Sequence, residues 1–377
     1  YAMAGALVLV TLNNYLTTLV EALRQIRLAS RMRFVSGVTF TLLAVMFLLV
    51  RNDALAALAG FGLSCLIGAV PALGYLRHRR GEIASHDQPL SAGQMALRVA
   101  PFAAWWWVSN IVHNAFELVD RYMLVHWSGL NSEEALTQVG YYHSSRLLPL
   151  LLISLADMLA GIVMPYLSHD WERGERRLVS ERLNLILKLT AIGMLAASVL
   201  ILLGAPLLFQ VAFEGRYNAG LSVLPWTLTY CVWYAILIVA QNYIWCAEKA
   251  KLGSLPLGIA LAANVLLNLV LLPIWGLYGA VLATTLSTGL ALGLLYWLNH
   301  REGLEFDSGL VWLSVAPIAL GGGVWLGAAV LAAILVAAPF STTLFTAGER
   351  AMLGAYLRHQ FDRIIAIVLK HPMRVEV

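Results

Sequence analysis

Long uncharged apolar stretches recur along the whole chain, and several reach the length that a helix needs to cross a bilayer. A helix of about 20 apolar residues spans the roughly 30 Å of membrane hydrocarbon. Only 12% of the 377 residues are charged, whereas soluble domains carry about 25%, and the mean hydropathy is +0.76. These values exclude a soluble enzyme, a nucleic-acid-binding module and a disordered scaffold. They predict an all-α polytopic membrane protein.

The apolar pattern predicts nine spans and one ambiguous stretch. The spans are 2–20, 34–50, 54–76, 99–127, 138–166, 184–212, 221–246, 254–274 and 277–299. The stretch 310–340 is long for one tilted helix and short for two full crossings, with Gly321, Gly322 and Gly323 as a candidate break. One crossing and two crossings both stay open, so about 10–11 transmembrane helices are expected.

Basic loop residues predict the orientation, because cytoplasmic loops carry an excess of Lys and Arg. One alternate set of loops holds 15 basic residues, and the opposite set holds two, Arg51 and Arg216. The larger set is Arg24, Arg27, Arg31, Arg33, Arg77, Arg79, Arg80, Arg98, Arg173, Arg176, Arg177, Arg182, Lys249, Lys251 and Arg301. The first span is therefore predicted to run from outside to inside, and the external loops are short.

No cofactor or metal motif occurs in the chain. A Walker A loop, an HExxH pair, a CxxC pair and a dinucleotide fingerprint are all missing from the sequence. The three cysteines, Cys65, Cys231 and Cys246, lie in apolar spans without a metal or disulfide spacing. We therefore expect no cofactor, no metal and no ATP-driven pump.

Polar residues within spans are costly and are functional candidates by default. The first span carries Thr11, Asn14, Thr18 and Glu21 on one helical face. This face is expected to line a water-filled cavity, although hydrogen bonding between helices explains the same spacing equally well.

The fourth span has a similar face formed by Asn110, His113, Glu117 and Asp120, with Arg121 adjoining it. Asn110 is a candidate cavity residue, and the three titratable groups are candidates for gating or ion coupling. Alternatively, the helix leaves the hydrocarbon near Val119, which would place Asp120 and Arg121 at the outer surface.

The fifth span places Arg146, Ser154 and Asp157 on one face, with Ser154 as a cavity candidate and Asp157 as a coupling candidate. Residue counts from the loop at 128–137 place Arg146 at the depth of Asp120, which predicts an ion pair between them. Lys188, near the inner start of the next span, is expected to extend to the lipid headgroups.

Three segments carry a family resemblance. The first segment, at 258–298, reads GIALAANVLLNLVLLPIWGLYGAVLATTLSTGLALGLLYWL. Its matching elements are Asn264, the LNL at 267–269, Pro273, the Gly276–Gly279 turn and Ala283–Thr284. VDRYMLVHW at Asp120 and VGYYHSSRL from Val139 precede it. Over roughly residues 1–300, the chain resembles oligosaccharide and polysaccharide flippases, lipid-linked O-antigen-type translocases of the multidrug/oligosaccharidyl-lipid/polysaccharide exporter superfamily.

The resemblance implies a two-lobe helical bundle with a final helix pair. Residues 1–76 would be the remainder of an N-terminal lobe, with three helices expected to precede them, and 77–98 a cytoplasmic linker between lobes. Residues 99–300 would form a six-helix lobe, 301–348 a final hairpin, and 349–377 a basic cytoplasmic tail. The tail also has the spacing of an amphipathic helix, either on the membrane surface or in solution.

The resemblance further implies a bacterial inner-membrane flippase. Its substrate would be a polyprenyl-diphosphate-linked oligosaccharide, moved to the outer leaflet by alternating access for cell-surface polysaccharide assembly. Arg146 and Arg121, with Arg24 near the inner mouth, are the candidates for diphosphate binding. Expected partners are this lipid and membrane lipids, with a glycan polymerase or glycosyltransferases as candidate proteins and no nucleic acid. An ion-coupled multidrug antiporter and a membrane-bound sugar transferase or ligase are the alternatives, and the short external loops argue against the latter.

Overall fold

The computed structural model describes residues 2–79 and 91–354, without the side chains of Ala2, Ala92 and Glu117. The middle of the predicted linker, residues 80–90, and most of the predicted tail, residues 355–377, lie outside the described residues. The described segments are helices joined by short turns, and they contain no strand. The prediction of an all-α polytopic membrane protein is confirmed.

Within the described residues, ten α-helices and one 3-10 segment follow one another. They are α1 (Ala2–Ala22), α2 (Ile26–Val50), α3 (Ala54–His78), α4 (Ala92–Trp127), α5 (Ser132–Glu172), α6 (Arg176–Ala212), α7 (Ala219–Cys246), α8 (Ala250–Arg301), α9 (Ser308–Val315), the 3-10 segment (Ala316–Gly322) and α10 (Val324–Ala337). Residues 347–354 form a further helical turn. Among the described residues, seven helices are long and apolar enough to span a membrane: α1–α3 and α5–α8.

Several helices begin at a side-chain cap. The Asp53 side chain accepts a hydrogen bond from the Ala56 amide at 2.9 Å at the start of α3, and Asn131 accepts from the Glu134 amide at 2.9 Å at the start of α5. These bonds satisfy amide groups that have no partner within the helix. Polar residues in the short loops thereby end one helix and begin the next.

Two glycines divide the longest apolar segments. Gly276, with φ 54°, interrupts α8, so α8 contains the two spans predicted at 254–274 and 277–299. Gly323, with φ 93°, separates the 3-10 segment from α10. Such φ values favour glycine because it has no Cβ. The 14 residues of α10 rise about 21 Å, which is less than a full crossing.

The chain divides into two compact units. Unit 1 contains the described residues within 1–99 and those of 161–166, and unit 2 contains those of 100–160 and 167–354. In unit 1, small residues allow α3 to approach α1 and α2 closely: a Cβ added at Gly60 would lie 3.0 Å from the Ala44 amide nitrogen. Such close backbone approach is a common way to pack helices in lipid. The core of unit 1 consists of Leu16, Val20, Ala29, Met32, Ala69 and Ala72.

In unit 2, α7 is the most deeply buried helix, and tryptophans on it fit against glycines. The Trp226 ring lies 2.5 Å from where a Cβ of Gly321 would be, and the Trp233 ring lies 2.8 Å from the corresponding point of Gly289. The Trp233 indole also donates a hydrogen bond to the Ser314 carbonyl at 2.7 Å. These contacts fix α9 and the 3-10 segment against α7 and α8.

Lys188 does not extend to the headgroups, so that prediction is wrong. Its side chain is 0% exposed, and its ammonium group pairs with Asp307 at 2.6 Å and with Glu349 at 2.8 Å. The ammonium also lies 5.3 Å from the ring centre of Phe345. Lys188 therefore joins α6 to the starts of α9 and of the 347–354 turn.

Candidate functional site

A cavity of about 30 Å³ lies inside unit 2, between α4, α5, α7 and α8. Its lining combines charged, hydroxyl and aromatic side chains at a depth where most residues are apolar. The lining residues are His113, Phe116, Asp120, Tyr142, Arg146, Ile153, Tyr230, Tyr234, Thr284 and Thr288. Polar groups that converge inside a membrane bundle are characteristic of binding and ion sites.

Asp120 is the hydrogen-bond acceptor at the centre of this cavity and is 1% exposed. The Tyr142 hydroxyl donates to its Oδ2 at 2.6 Å, and the Thr284 hydroxyl donates to the same oxygen at 2.5 Å. The Asn268 amide donates to Oδ1 at 2.9 Å. Three donors thus stabilise a carboxylate that would otherwise be costly to bury.

Polar side chains from the two halves of α8 also bond to one another around Asp120. The Asn264 amide donates to the Thr284 hydroxyl at 3.2 Å, and the Asn268 amide donates to Asn264 Oδ1 at 3.1 Å. No described group bonds Asn268 Oδ1. Carboxylate, hydroxyl and amide oxygens are ligands of hard cations, and the carboxylate can instead take a proton. The described residues contain no cluster of three His, Cys, Asp or Glu suited to a metal ion.

Arg146 is the cation of the cavity and is 4% exposed. Its guanidinium carbon lies 5.4 Å from the ring centre of Tyr142 and 5.9 Å from that of Tyr230. Both distances are within the range of a cation–π contact. The planar guanidinium carries its N–H groups in a fork that suits bidentate binding of a phosphate.

The predicted ion pair between Asp120 and Arg146 is wrong, although both side chains line the same cavity. Both oxygens of Asp120 accept hydrogen bonds from neutral donors. Tyr142, one helical turn before Arg146, connects the two charged groups because its hydroxyl bonds Asp120 and its ring contacts Arg146.

His113 lies on the same face of α4 as Asp120, as predicted from their spacing. The Tyr234 hydroxyl and His113 Nδ1 are 2.5 Å apart, and the two rings are nearly parallel with centres 5.2 Å apart. This pair closes the side of the cavity formed by α4 and α7.

The other predicted residues of α4 and α5 do not line the cavity. Asn110 and Ser154 are exposed and bond backbone carbonyls of their own helices. Asp157 is exposed and Arg121 half-buried. The side chain of Glu117 lies outside the described residues.

The candidates of the first span belong to unit 1, whereas the cavity is formed by unit 2. Thr11, Asn14 and Thr18 are exposed on α1. Glu21 pairs with Arg33 at 2.6 Å. Arg24 is exposed in the turn between α1 and α2, with φ 59°.

Sequence reasoning missed the aromatic and amide members of the cavity. Tyr142 could have been identified, since it lies four residues before Arg146 and therefore on the same helical face. Asn264, Asn268 and Thr284 stand in the segment that carries the family resemblance, but that resemblance was not used to assign them a role. Tyr230 and Tyr234 carry no distinctive signal in the sequence, because they form no motif with the other lining residues.

Comparison with known proteins identifies the family. A family model described as "Lipid II flippase MurJ" matches residues 134–348, more than half of the chain. The chain is 28% identical over 203 residues to "Uncharacterized membrane protein YabM" of Bacillus subtilis (strain 168). It is 27% identical over 197 residues to "Probable lipid II flippase MurJ" of Vibrio cholerae serotype O1. These regions cover 52% and 50% of this chain, and 37% of each relative.

A solved structure described as "Lipid II flippase MurJ, inward closed conformation" is also similar. It has a TM-score of 0.48 and 15% identity, and the match covers 89% of this chain and 67% of that chain.

The match to the family model confirms the prediction of a flippase family and corrects its subfamily. The expected O-antigen-type group is replaced by MurJ. The family consists of transporters, in agreement with the expectation that the chain is not an enzyme. The predicted location, as a multi-pass protein of the bacterial inner membrane, is confirmed. The chain belongs to the family described as lipid II flippase MurJ.

Proposed function

We propose that the full-length protein is a flippase that moves a polyprenyl-diphosphate-linked glycan from the cytoplasmic to the outer leaflet by alternating access. The family description names lipid II, and we propose lipid II as the substrate in place of a precursor for a longer surface polysaccharide. Enzymes that build or polymerise the lipid-linked glycan are the proposed protein partners, and membrane lipids surround the spans.

The observation that carries this proposal is the buried position of Arg146. A guanidinium that is 4% exposed, within a cavity lined by tyrosine rings and hydroxyl groups, is suited to an anion that has left water. At about 4 Å and an effective dielectric constant near 20, one such charge pair gains about 4 kcal/mol before desolvation is counted. Such a guanidinium can bond two oxygens of a phosphate group in bidentate fashion.

The Asp120 cluster is the proposed coupling site. A proton or a small cation at Asp120 would neutralise its carboxylate and change the bonds from Tyr142, Asn268 and Thr284. An electrochemical gradient of that proton or cation would supply a driving force that does not need ATP. His113 is a second proposed coupling group because of its contact with Tyr234. Glu117 on α4 and Asp157 on α5 remain candidates.

A multidrug antiporter is a weaker fit to this cavity. A site for cationic drugs needs an acid that is free to pair with the drug, but three donors already bond the carboxylate of Asp120. The positive charge of Arg146 in the same cavity would repel a cationic drug.

Substitution of Arg146 tests the proposal. Arg146→Gln removes the charge and is expected to lower transport of labelled lipid II in proteoliposomes at least tenfold, because losing a hydrogen bond to a charged group costs about 1.5–3 kcal/mol. Arg146→Lys keeps the charge without the planar fork and should retain intermediate activity. Arg121→Gln is the matched control, since Arg121 lies beside Asp120 but does not line the cavity. Normal transport by Arg146→Gln, at equal protein abundance, would remove the proposed anion site.

A further inference from the structure

Tyr142 contacts both charged groups of the cavity and is fully buried. Its hydroxyl donates to Asp120 Oδ2 at 2.6 Å. The guanidinium carbon of Arg146 lies 5.4 Å from its ring centre. One side chain therefore joins the acid of the proposed coupling site to the cation of the proposed anion site.

The two contacts of Tyr142 strengthen each other. A hydrogen bond donated to a charged carboxylate is roughly twice as strong as one between neutral groups. Such a bond shifts electron density toward the phenol oxygen and ring, since hydrogen-bonded groups polarise one another. A more electron-rich ring holds a cation more strongly on its face. Neutralising Asp120 therefore loosens Arg146 without any direct contact between the two residues.

Tyr230 is a natural comparison within the same cavity. Its ring also faces Arg146, at 5.9 Å, and its side chain is 4% exposed. Within the described part of the chain, however, its hydroxyl has no hydrogen-bond partner. Tyr230 supports the guanidinium but has no bond to Asp120 through which charge could act.

We propose that Tyr142 is a positioning residue that transmits the charge state of Asp120 to the orientation of Arg146. This rests on the proposed function, because it assumes that Arg146 contacts the diphosphate of the substrate. A charged Asp120 fixes Arg146 on the ring for substrate binding, and a neutral Asp120 releases it. Tyr142 thus regulates when Arg146 holds the substrate.

Other groups near Asp120 bear on any measurement of its charge. His113 on α4, Tyr142 and Arg146 on α5, and Tyr230 and Tyr234 on α7 are the described titratable or charged groups of the cavity lining. The lining residues of α8 are neutral. Because several of these groups titrate, the test replaces Asp120 by Asn and does not vary the pH.

A double-mutant cycle tests the proposal in the full-length protein. Lipid II affinity is measured in detergent for the wild type, Asp120→Asn, Tyr142→Phe and the double variant. A parallel cycle uses Tyr230→Phe. Direct repulsion between Asp120 and the diphosphate is the same in proteins with Tyr142 and in proteins with Tyr142→Phe. This repulsion therefore cancels in the cycle. The expected coupling between Asp120 and Tyr142 is about fivefold in affinity, the difference between a charged and a neutral hydrogen bond. No coupling beyond twofold is expected between Asp120 and Tyr230.

Melting temperatures of the same proteins separate positioning from structure. A purely structural Tyr142 gives coupling in the melting temperature but none in lipid II affinity, and this result overturns the proposal. Equal affinity coupling in the Tyr230 cycle also overturns it, because general cavity packing would then be the cause. The proposed function fails separately, if Arg146→Gln binds lipid II as tightly as the wild type does.

Discussion

The buried cluster of Lys188, Asp307 and Glu349 allows a quantitative prediction about stability. Lys188 is 0% exposed, and the carboxylate side chains are 18% and 12% exposed. Lys188→Met leaves two buried carboxylates without their shared cation, and breaking a buried pair costs about 3–5 kcal/mol. We expect the melting temperature of unit 2 to fall on the order of 10 °C.

Replacing all three groups should restore most of this loss. Asp307 also accepts a hydrogen bond from the Gly309 amide, and Glu349 accepts one from the Thr346 amide, both at 2.8 Å. Asn and Gln can accept the same bonds, so Asp307→Asn and Glu349→Gln preserve both helix caps. The triple variant with Lys188→Met therefore removes the charges while keeping the local hydrogen bonds, and a neutral replacement of a buried ion pair is often tolerated.

The buried cysteines provide the assay. Cys231 and Cys246 lie in unit 2 and are 1% and 6% exposed, so a thiol-reactive fluorophore reports unfolding as temperature rises. A Cys65→Ala background removes the thiol of unit 1. Arg177→Gln is the control, because its pair with Glu181 is 83% and 59% exposed and such surface pairs contribute about 0–1 kcal/mol. Melting of Lys188→Met at the wild-type temperature, or of the triple variant at a temperature as low as that of the single variant, would contradict a stabilising role for this cluster.

Two further predictions concern topology and packing. Cysteines introduced at 131–134 should react with an impermeant thiol reagent added outside intact cells, and Ala84→Cys should not; labelling at 84 would reverse the predicted orientation. Gly321→Ala places a Cβ 2.5 Å from the Trp226 ring and should cost about 1–3 kcal/mol, whereas Gly293→Ala has nothing within 4 Å and should not destabilise. Equal melting temperatures for the two glycine variants would contradict the close contact between α7 and the 3-10 segment.

Local sequence patterns were sufficient for the features that depend on neighbouring residues. Span lengths predicted the membrane class and separated the spans 254–274 and 277–299 that meet at Gly276, and the run Gly321–Gly323 predicted the break at Gly323. Helical spacing placed His113 and Asp120 on one face of α4, and counting from the loop at 128–137 brought Asp120 and Arg146 to one cavity. Each of these inferences uses residues of one helix or of two adjacent helices.

The errors arose where a partner lies far away in the chain. Asp120 was paired with Arg146 because Asn268 and Thr284, its actual partners on α8, are more than 140 residues away. Lys188 was assigned to the headgroups because Asp307 and Glu349, which hold it, follow 119 and 161 residues later. Three-dimensional packing determines which group pairs with a buried charge. Helical periodicity carries no information about packing between distant segments.

Translocation of lipid II without chemical change can be measured in vesicles. Full-length protein is reconstituted with labelled lipid II confined to one leaflet, and the fraction reaching the other leaflet is followed beside protein-free vesicles, with the lipid mass determined at the end. We expect faster appearance of the label in the second leaflet, with the mass of lipid II unchanged. A rate equal to that of protein-free vesicles, or a longer glycan or a free lipid diphosphate as product, would contradict it.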